Sequence, residues 1–282
     1  MTAISVIIST YNRPRDLERV LFGYAVQSDP DFEIVVADDG STAETHDVID
    51  RARREMKLKV SHVWHEHNGF RKSLIQNRAI EAAQTEYLIF TDGDCIPRRD
   101  MIAVHRHLIT PGRYVAGGYL KLSRQATETI QISDIESGRF TDLEWLRSQG
   151  WKPGHRSLRL TDKHWLSVFL DRITTTAANF QGNNTGAWRE SLYTVNGFEN
   201  GMGYGGLDKA LGYRMQNAGI KGIQARYRII AMHLDHDRPY RSAEGMKKNR
   251  DIMKGIRKSG QIRAHRGLAE LEPDPTAVVD RG

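Results

Sequence analysis

Residues 86–97 read EYLIFTDGDCIP, an apolar run that ends in two aspartates separated by a glycine. The uninterrupted apolar run at 87–90 is typical of a strand that is buried on both faces of a parallel sheet. Ligands of such sheets bind at the carboxyl ends of the strands, which is where Asp92 and Asp94 stand. Because Gly93 lets the backbone turn tightly between them, the pair can hold a divalent cation that keeps other positions open for phosphate oxygens.

A solvated acidic turn is the alternative interpretation of this segment, because an acidic triplet also arises without a function. The chain holds 35 acidic residues, and two further Asp-x-Asp triplets occur at 29–31 and 235–237. The first lies in a Pro-containing turn and the second in a polar stretch, whereas the triplet at 92–94 follows an apolar run. The context therefore favours a metal-binding function for Asp92 and Asp94.

Strand and helix patterns alternate upstream of this segment. Apolar runs predict strands at 4–9, 32–37 and 58–65, and a helical pattern follows each of them, with Pro14 opening the first helix. Strands separated by helices of this length predict βαβ units. The expected fold class is therefore α/β, with a mostly parallel central sheet and flanking helices.

The pattern changes after the fourth strand. From 121 to about 165 it decays into a basic stretch, which predicts a helical or irregular excursion that either meets an anionic partner or is a solvated face. Residues 180–219 are rich in Gly and Asn and end in a helical pattern, and 242–258 predict a charged helix. The tail at 271–282 is expected to be frayed.

Composition indicates a globular chain. With 282 residues, 32.1 kDa and 39% hydrophobic residues, it can bury a large core. No stretch approaches the roughly 20 apolar residues that span a bilayer, and the N-terminus enters a strand pattern at once, so we expect a cytoplasmic protein. The single cysteine, Cys95, excludes an intramolecular disulfide and a multi-cysteine metal site. A net charge of +6 and a pI near 9.4 are compatible with nucleotide phosphates, an anionic membrane face or nucleic acid as partners.

A glycine pattern raises a different function. Gly201, Gly203 and Gly206 satisfy G-x-G-x-x-G, the fingerprint that a nicotinamide-dependent oxidoreductase would carry. The residues before it are turn-like instead of a strand, so the match is weak, and no P-loop sequence occurs. A further alternative is a non-catalytic basic module that binds nucleic acid or an acidic glycan. It lacks a recognised nucleic-acid motif and leaves the triplet at 92–94 without a purpose.

Several segments together resemble the inverting glycosyltransferases of family 2, which share the GT-A fold. The resemblance spans about 4–240 and rests on the order and spacing of SVIISTYNRP at 5–14, VVADDGS at 35–41, NGFRKSLIQNRAI at 68–80, FTDGDC at 90–95 and WRESLYTVNGFENGMGYGGLD at 188–208. It implies a Rossmann-like nucleotide-sugar-binding half fused to an acceptor-binding and catalytic half within one domain, followed by a C-terminal helix and tail. The boundaries are 1–122, 123–241 and 242–282.

The resemblance implies a donor site at the strand ends. Asp39, with Asp38 as second choice, would accept from the uracil ring or ribose, because a carboxylate suits an imide N–H. A simple turn is the alternative for one of this pair. Arg71 and Asn77 would support the base or the phosphates, and a solvated arginine is the alternative. The implied donor-binding residues are Thr10, Tyr11, Asn12, Arg13, Asp38, Asp39, Arg71, Asn77, Asp92 and Gly93.

The resemblance also implies a metal site. Asp92 and Asp94 would hold Mn²⁺ or Mg²⁺ against the diphosphate, where the ion neutralises charge that builds on the leaving group. A histidine from the late segment at 231–239 would complete the coordination, and both His236 and His233 are candidates. A structural or solvated histidine is the alternative.

The Gly-rich segment is where the resemblance implies the catalytic base. Family members commonly carry Gly-Trp-Gly-x-Glu-Asp there, and this sequence has Asp208 at the aspartate but Leu207 in place of the glutamate. One carboxylate suffices to take the proton in an inverting transfer. The missing glutamate leaves the acceptor type open. The implied acceptor-binding residues are Gly205, Gly206, Asn183 and Trp188.

The expected function is metal-dependent, inverting transfer of a sugar from a nucleotide-diphosphate donor, with UDP favoured. The acceptor would be a hydroxyl of a glycan or lipid-linked glycan in bacterial polysaccharide or lipopolysaccharide synthesis. The expected location is the cytoplasm or the inner face of the membrane, with no nucleic acid as partner. The acceptor rests on analogy alone, and a fold does not identify a substrate.

Overall fold

The alternating patterns form strands and helices near the predicted places. A computed structural model describes residues 2–237 and 240–282, so predictions that fall on Met1, Arg238 and Pro239 lie outside the described residues. The strands are β1 (Ile4–Thr10), β2 (Glu33–Asp38), β3 (Val60–Trp64), β4 (Tyr87–Asp92), β5 (Cys95–Pro97), β6 (Arg113–Ala116), β7 (Gly118–Lys121), β8 (Thr185–Trp188), β9 (Lys221–Gln224), β10 (Ile230–His233) and β11 (Val278–Asp280).

Helices flank the strands and fill the segment between β7 and β8. The α-helices are α1 (Pro14–Ala25), α2 (Ala43–Arg54), α3 (Lys72–Ala82), α4 (Met101–Leu108), α5 (Arg124–Thr129), α6 (Ile132–Glu136), α7 (Leu143–Ser148), α8 (His164–Ile173), α9 (Arg189–Thr194), α10 (Leu207–Asn217) and α11 (Ala243–Ser259). Short 3₁₀ helices lie at Arg139–Thr141 and His155–Leu160. The helical or irregular excursion predicted from 121 to about 165 is confirmed.

The large sheet is parallel where the acidic strand ends lie. Its strand order within the described residues is β11-β3-β2-β1-β4-β8-β6-β9. β3, β2, β1 and β4 are parallel neighbours, β8 is antiparallel to β4 and β6, and β9 is parallel to β6. The predicted α/β class, with a mostly parallel central sheet and flanking helices, is confirmed. Strands β8 and β9 lie in the second predicted half, so both halves contribute to one sheet.

Both faces of the sheet are buried, as the continuous apolar runs predict. Every residue of β1 is buried, and Ile7 lies opposite Val35 in β2 and Phe90 in β4. One apolar cluster packs α1 and α2 against the sheet, and a second packs α3 and α10. Each large side chain buried in this way stabilises the fold by about 1.5–3 kcal/mol. This packing fixes the positions of the strand ends.

A small sheet continues from the end of β4. Its order is β5-β10-β7, with β10 antiparallel to β5 and parallel to β7. The chain passes from β4 to β5 through Gly93 and Asp94, and His233 at the end of β10 lies opposite Cys95. The Leu234 N–H donates to the Asp94 carbonyl at 2.9 Å. The junction of the two sheets therefore brings the acidic triplet next to the late histidine segment.

The expectation of a frayed tail is wrong. Strand β11 adds to the edge of the large sheet, antiparallel to β3, with Val279 opposite Val63. Arg53 of α2 donates to the Asp280 carboxylate at 2.7 Å. Backbone pairing and this ion pair hold the end of the chain on the sheet.

Candidate active site

The ends of β1, β2 and β4 form one polar edge. In the strand register Thr10 lies opposite Asp38, and Ser9 lies opposite Asp92. The Gly93 N–H donates to the Ser9 carbonyl at 2.7 Å, which closes the turn after β4 against β1. A Cβ on Gly93 would lie 3.1 Å from the Thr10 hydroxyl oxygen, so this close approach favours glycine. Thr10, Asp92 and Gly93, all predicted to bind the donor, share this edge.

Asp94 lies between the two candidate histidines. His236 Nε2 is 2.7 Å from Asp94 Oδ2, and His233 Nε2 is 3.9 Å from Asp94 Oδ1. The two imidazole rings stack with their centroids 5.5 Å apart. Burial alone would raise the pKa of the Asp94 carboxyl, but the hydrogen bond from His236 and the nearby ring of His233 lower it below its usual range. Asp94 is therefore an ionised carboxylate between two imidazoles.

Hydrogen bonds at the far ring nitrogens orient both imidazoles. His233 Nδ1 is 2.5 Å from the Leu234 carbonyl oxygen, and His236 Nδ1 is 2.7 Å from the Asp237 carbonyl oxygen. An Nδ1–H that donates to a carbonyl directs Nε2 toward a metal, which is common for histidine ligands. Carboxylate oxygens together with imidazole nitrogens suit manganese. The donor atoms around Asp94 therefore fit a divalent cation.

Lys72 is a residue of this site that the sequence interpretation missed. Its Nζ is 2.5 Å from Asp92 Oδ1. Burial alone would lower the pKa of Lys72, but the carboxylates of Asp92, Asp208 and Asp94 raise it above its usual value. The ammonium is therefore held in its charged form among these carboxylates. The sequence offered one signal for Lys72: it follows Arg71 at the start of α3. Two cations at a helix N-terminus are unfavourable to the helix dipole, so their presence there indicates another function.

Asp208 stands in the first turn of α10 and faces the same cluster. Burial raises the pKa of its carboxyl above the usual value; Lys72 and the Gly182 N–H oppose this, and the charge of Asp92 adds to it. Its Oδ1 is buried and has no hydrogen-bond partner among the described residues. A carboxylate with a raised pKa and an unbonded oxygen is suited to accept a proton.

Leu207, next to it, faces the core. It is 5% exposed and belongs to the apolar cluster that contains α3 and α10. The residue at the position of the family's glutamate therefore packs the helix in this chain. The described residues 195–206 form no strand before α10, so the glycine pattern at 201–206 lacks the context of a dinucleotide fingerprint. The oxidoreductase alternative is not supported.

The C-terminal helix α11 holds the glycine loop that precedes α10. Asn249 is 1% exposed, and its Nδ2 lies 3.0, 3.0 and 2.7 Å from the carbonyl oxygens of Gly203, Tyr204 and Gly205. Gly205 and Gly206 have φ angles of 97° and 93°, a conformation that side chains with a Cβ rarely adopt. The glycine loop that leads into α10, and so to Asp208, is thus held by a side chain of α11.

Asp38 and Asp39, the acidic pair at the end of β2, lie in different environments. Asp38 is 1% exposed; its Oδ1 accepts from the N–H and the hydroxyl of Ser41, and its Oδ2 is 3.0 Å from His62 Nε2. Ser41 Oγ in turn accepts from the Asn12 N–H at 2.8 Å. The Asp38 carboxylate therefore holds the turn, which is the alternative interpretation of this pair, and its contact with a donor stays a prediction.

Asp39 instead joins the end of β2 to the start of α3. His65 Nε2 is 2.8 Å from its Oδ1, and the Arg71 N–H donates to its Oδ2 at 2.8 Å. Close by, Tyr11 stacks on His67 with ring centroids 4.4 Å apart and planes inclined by 15°. Tyr11 is 36% exposed, so part of this aromatic pair is open to a ligand.

An aromatic cluster of Phe70, Tyr204 and Tyr240 stands beside the acidic site. Ring centroids are 5.8 Å apart for Phe70–Tyr204, 5.5 Å for Phe70–Tyr240 and 5.0 Å for Tyr204–Tyr240. Burial raises the pKa of Tyr240, and Asp94 and Arg13 lie within electrostatic reach of its hydroxyl. The rings come from three separate segments, so no spacing in the sequence signalled the cluster.

Asn77, predicted to support the donor pocket, lies within α3, and its role toward a donor stays a prediction. It is fully buried, and its amide exchanges hydrogen bonds with the backbone of Phe198 at 2.8 and 2.9 Å. Its Nδ2 also lies 2.8 Å from Asn200 Oδ1. These bonds use the amide to tie α3 to the segment before the glycine loop.

Trp188 and Asn183, the two remaining predicted acceptor residues, lie in different places. Trp188 lies opposite Tyr87, at the amino end of β4, and its indole N–H donates to the Thr110 carbonyl at 2.8 Å. The acidic triplet follows the carboxyl end of β4, so Trp188 lies at the other end of this strand, and its contact with an acceptor stays a prediction. Asn183 lies near the triplet, because its carbonyl accepts from the Thr91 hydroxyl at 3.3 Å.

The fold and this edge define the class of protein. A mostly parallel sheet with flanking helices, whose strand ends carry the carboxylates, is the GT-A fold of glycosyltransferases. The family model described as Glycosyl transferase family 2 matches residues 5–169. The chain belongs to glycosyltransferase family 2.

Sequence relatives point to the same family. The chain is 31% identical over 224 residues to validoxylamine A glucosyltransferase of Streptomyces hygroscopicus subsp. jinggangensis (strain 5008), a match that covers 77% of this chain and 52% of the relative. It is 26% identical over 232 residues to chondroitin synthase of Escherichia coli, covering 77% of this chain and 32% of that protein. The chain thus spans about half the length of the first of these relatives.

Solved structures share the fold. The mannosyltransferase PcManGT from Pyrobaculum calidifontis, in complex with GDP-Man and Mn²⁺, has a TM-score of 0.57 at 20% identity and covers 84% of this chain and 58% of that one. S. aureus TarS 1-349 in complex with UDP has a TM-score of 0.56 at 16% identity, with 95% and 70% covered. At these identities the likeness concerns the fold alone.

Proposed function

We propose that this chain transfers a sugar, with inversion, from a nucleoside diphosphate donor to a hydroxyl of a glycan or lipid-linked glycan. The observation that carries the proposal is the convergence of Asp92, Asp94 and Asp208 around Lys72 at the carboxyl ends of the parallel strands. Carboxylates for a cation and a separate carboxylate base are the groups that such a transfer needs. Membership of family 2 supports the same reaction.

The diphosphate of the donor would lie over the acidic triplet. Asp92, Asp94 and one or both of His233 and His236 would hold Mn²⁺ or Mg²⁺, and the bound ion would offset the charge of the nucleoside diphosphate leaving group. Lys72 adds a fixed positive charge at the same place. An ammonium that pairs with Asp92 in the free chain can pair with phosphate oxygens in the complex.

The nucleotide base would bind at the ends of β1 and β2. The ring of Tyr11 offers a stacking surface, and Asp39 is the carboxylate that can accept from the base or ribose. We propose UDP, because a carboxylate acceptor suits the imide N–H of uracil. The TarS complex with UDP supports a nucleotide donor, and the PcManGT complex with GDP-Man makes the identity of the base a point to test.

Asp208 would act as the general base. Its carboxylate takes the proton of the acceptor hydroxyl while that oxygen forms a bond to the anomeric carbon of the donor sugar. The bond from the anomeric carbon to the phosphate oxygen breaks, and its electron pair leaves with the nucleoside diphosphate. Attack opposite the leaving group inverts the anomeric configuration. The raised pKa of Asp208 makes its carboxylate a stronger base.

The acceptor would bind on the side of the glycine loop. Gly205 and Gly206 lead into α10, and Asn183 follows Gly182, whose N–H bonds to Asp208. The aromatic cluster of Phe70, Tyr204 and Tyr240 offers apolar ring faces for a sugar. We propose an acceptor from bacterial polysaccharide or lipopolysaccharide synthesis.

A donor screen tests the proposal. Purified protein is incubated with UDP-linked and GDP-linked sugars in Mn²⁺, in Mg²⁺ and in a chelator, and the released nucleoside diphosphate is measured. We expect slow, metal-dependent hydrolysis of one UDP-sugar, with water in place of the acceptor, and an inverted anomeric proton signal in the first product. Release from no donor in either metal would contradict the proposal, and a retained configuration would contradict the role of Asp208.

A further inference from the structure

Helix α8 exposes three large apolar side chains, while its other apolar residues are half-buried. Trp165, Phe169 and Ile173 are 67%, 51% and 55% exposed. They are spaced four residues apart, so they form one stripe along the helix. The buried residues of the same helix are Ser167 and Asp171. An amphipathic helix of a soluble protein normally buries its apolar face, so this helix is inverted.

Hydrogen bonds fix the inverted orientation. The Asp171 carboxylate accepts from the Tyr227 N–H at 3.0 Å and from the Arg228 guanidinium at 2.7 Å. Asp171 is 4% exposed on the face opposite the stripe. Turning the stripe inward would move Asp171 outward and leave the Tyr227 N–H and the Arg228 guanidinium without this hydrogen-bond acceptor. The apolar stripe is therefore held toward the outside by the body of the protein.

Most exposed charged residues in the segment that contains the stripe are cations. Between 151 and 176 the exposed charged residues comprise the cations Lys152, Arg156, Lys163 and Arg172, and Asp162 as the acid. Leu158, in the 3₁₀ helix before α8, is 46% exposed and adds to the apolar surface. Large apolar side chains, a tryptophan among them, beside cations are the features of a helix that lies in the interface of an anionic membrane.

We propose that α8 is a docking surface for an anionic lipid bilayer. No helix in residues 2–237 and 240–282 is long and apolar enough to cross a membrane. The ten residues of α8 would lie in the plane of the headgroups, with Trp165, Phe169 and Ile173 among the acyl chains and the cations at the lipid phosphates. A second copy of the chain is a poorer occupant, because a two-fold interface would bring the cations Lys163 and Arg172 of one copy close to those of the other.

This inference assigns a surface to membrane association and goes beyond sugar transfer. It does not require the transfer reaction, although it fits an acceptor that is itself anchored to lipid. None of the docking residues belongs to the site at the strand ends, so the docking surface and the site can be changed separately.

Vesicle co-sedimentation of the full chain tests the proposal. The vesicles contain either phosphatidylcholine alone or equal parts of phosphatidylcholine and phosphatidylglycerol. The variants are Trp165→Ser with Phe169→Ser, Lys163→Ser with Arg172→Ser, and Ile262→Ser as a control, since Ile262 is 42% exposed outside the docking helix. Sedimentation velocity without vesicles measures self-association, and UDP titration with Mn²⁺ measures the donor site in every variant.

We expect the wild type to bind the anionic vesicles and not the neutral ones. The apolar double variant should lose about tenfold or more of this binding, and the charge variant about tenfold to thirtyfold, while Ile262→Ser binds as the wild type does. No binding to anionic vesicles, or equal binding by the apolar variant, would overturn the proposal. Self-association that is lost in the apolar variant, without vesicle binding, would assign the surface to a second copy. Unchanged UDP binding in all variants would leave the proposed function standing in either case.

Discussion

At the scale of single residues, the carboxylates at one sheet edge differ in whether they already have hydrogen-bond or ion-pair partners within the chain. Both carboxylate oxygens of Asp38 have hydrogen-bond partners, in Ser41 and His62. One oxygen of Asp208 has no partner among the described residues. Asp92 is paired with Lys72, a partner that a diphosphate can attract away. Sequence position does not separate these cases, because the difference lies in contacts between distant segments.

Replacing the proposed base should stop transfer and spare donor binding. Asp208→Asn keeps the size of the side chain but cannot take a proton, so we expect transfer to fall about 100-fold to 10,000-fold with unchanged UDP affinity. Steady-state rates and calorimetric titration measure the two quantities. Glu199→Gln is the control, because the Glu199 carboxylate already accepts from the backbone N–H groups of His265 and Arg266. Near wild-type transfer by Asp208→Asn would show that another group is the base.

Restoring the family's glutamate should harm stability. Leu207 is 5% exposed in an apolar cluster, so Leu207→Glu would bury a charge without a partner. We expect a loss of about 2–4 kcal/mol in the free energy of unfolding, measured by urea denaturation. Lys209→Glu, two positions on at an exposed site, should change stability little. A stable Leu207→Glu variant with altered acceptor preference would place this side chain in the cleft instead.

At the scale of elements, helix α11 positions the glycine loop that leads into α10, the helix that carries the proposed base. Asn249 reaches three carbonyl oxygens of the glycine loop, although it lies more than 40 residues further along the chain. The side chains of Met246 and Met253 pack where a Cβ on Gly205 and Gly206 would lie. Helix α11 therefore closes the back of the site.

Removing the Asn249 amide should misplace the loop. We expect Asn249→Ala to reduce the transfer rate about 10-fold to 100-fold, because small displacements of a catalytic group are costly, with UDP affinity unchanged. Arg250→Ala, at an exposed position of the same helix, is the matched control. Wild-type transfer by Asn249→Ala would contradict the positioning role, whereas equal loss of UDP binding and rate would indicate general unfolding.

A buried histidine on α4 should make stability depend on pH. Burial lowers the pKa of His105 to about 4, partly opposed by its hydrogen bond with Asn184. As the pH falls through about 6.5, the unfolded chain takes up a proton at His105 while the folded chain does not. The contribution of this group to the free energy of unfolding is therefore complete above pH 6.5 and is lost as the pH falls toward 4.

The expected loss between pH 7 and pH 5 is about 2 kcal/mol from this group alone. His105→Gln should remove that share of the pH dependence, whereas His107→Gln, at an exposed position of the same helix, should retain it. Urea denaturation at the two pH values measures the difference. The same pH dependence in the wild type and His105→Gln would contradict the lowered pKa.

The elements that sequence patterns predict are those with local signals. The strands β1 to β4 appear in the sequence as apolar runs, and Asp92 and Asp94 stand at the end of one of these runs. The short strands β5 and β10 pair residues far apart in the chain, so their contacts have no local signature. The pairing of β11 with β3 also joins distant residues and has no local signature. The position of Trp188 at the amino end of β4 depends on the antiparallel register of β8, which the sequence does not show.

At the scale of the whole molecule, the site lies where the two sheets meet. Strand β4 of the large sheet ends at the triplet, and strands β5 and β10 of the small sheet bring His233 to it. The basic segment with α8 is a separate feature, so chemistry and docking occupy different parts of the fold. The matched relative is about twice as long as the region that it shares with this chain.

Calorimetric titration of UDP, with and without Mn²⁺, tests the central claim that the acidic triplet binds a metal–nucleotide complex. We expect Mn²⁺ to tighten UDP binding in the wild type by about tenfold or more, and Asp92→Asn and Asp94→Asn to lose this increment with little change in melting temperature. Asp31→Asn, in the triplet at 29–31, is the matched control and should behave as the wild type. If both triplet variants bind UDP in Mn²⁺ as tightly as the wild type, Asp92 and Asp94 do not form the metal site.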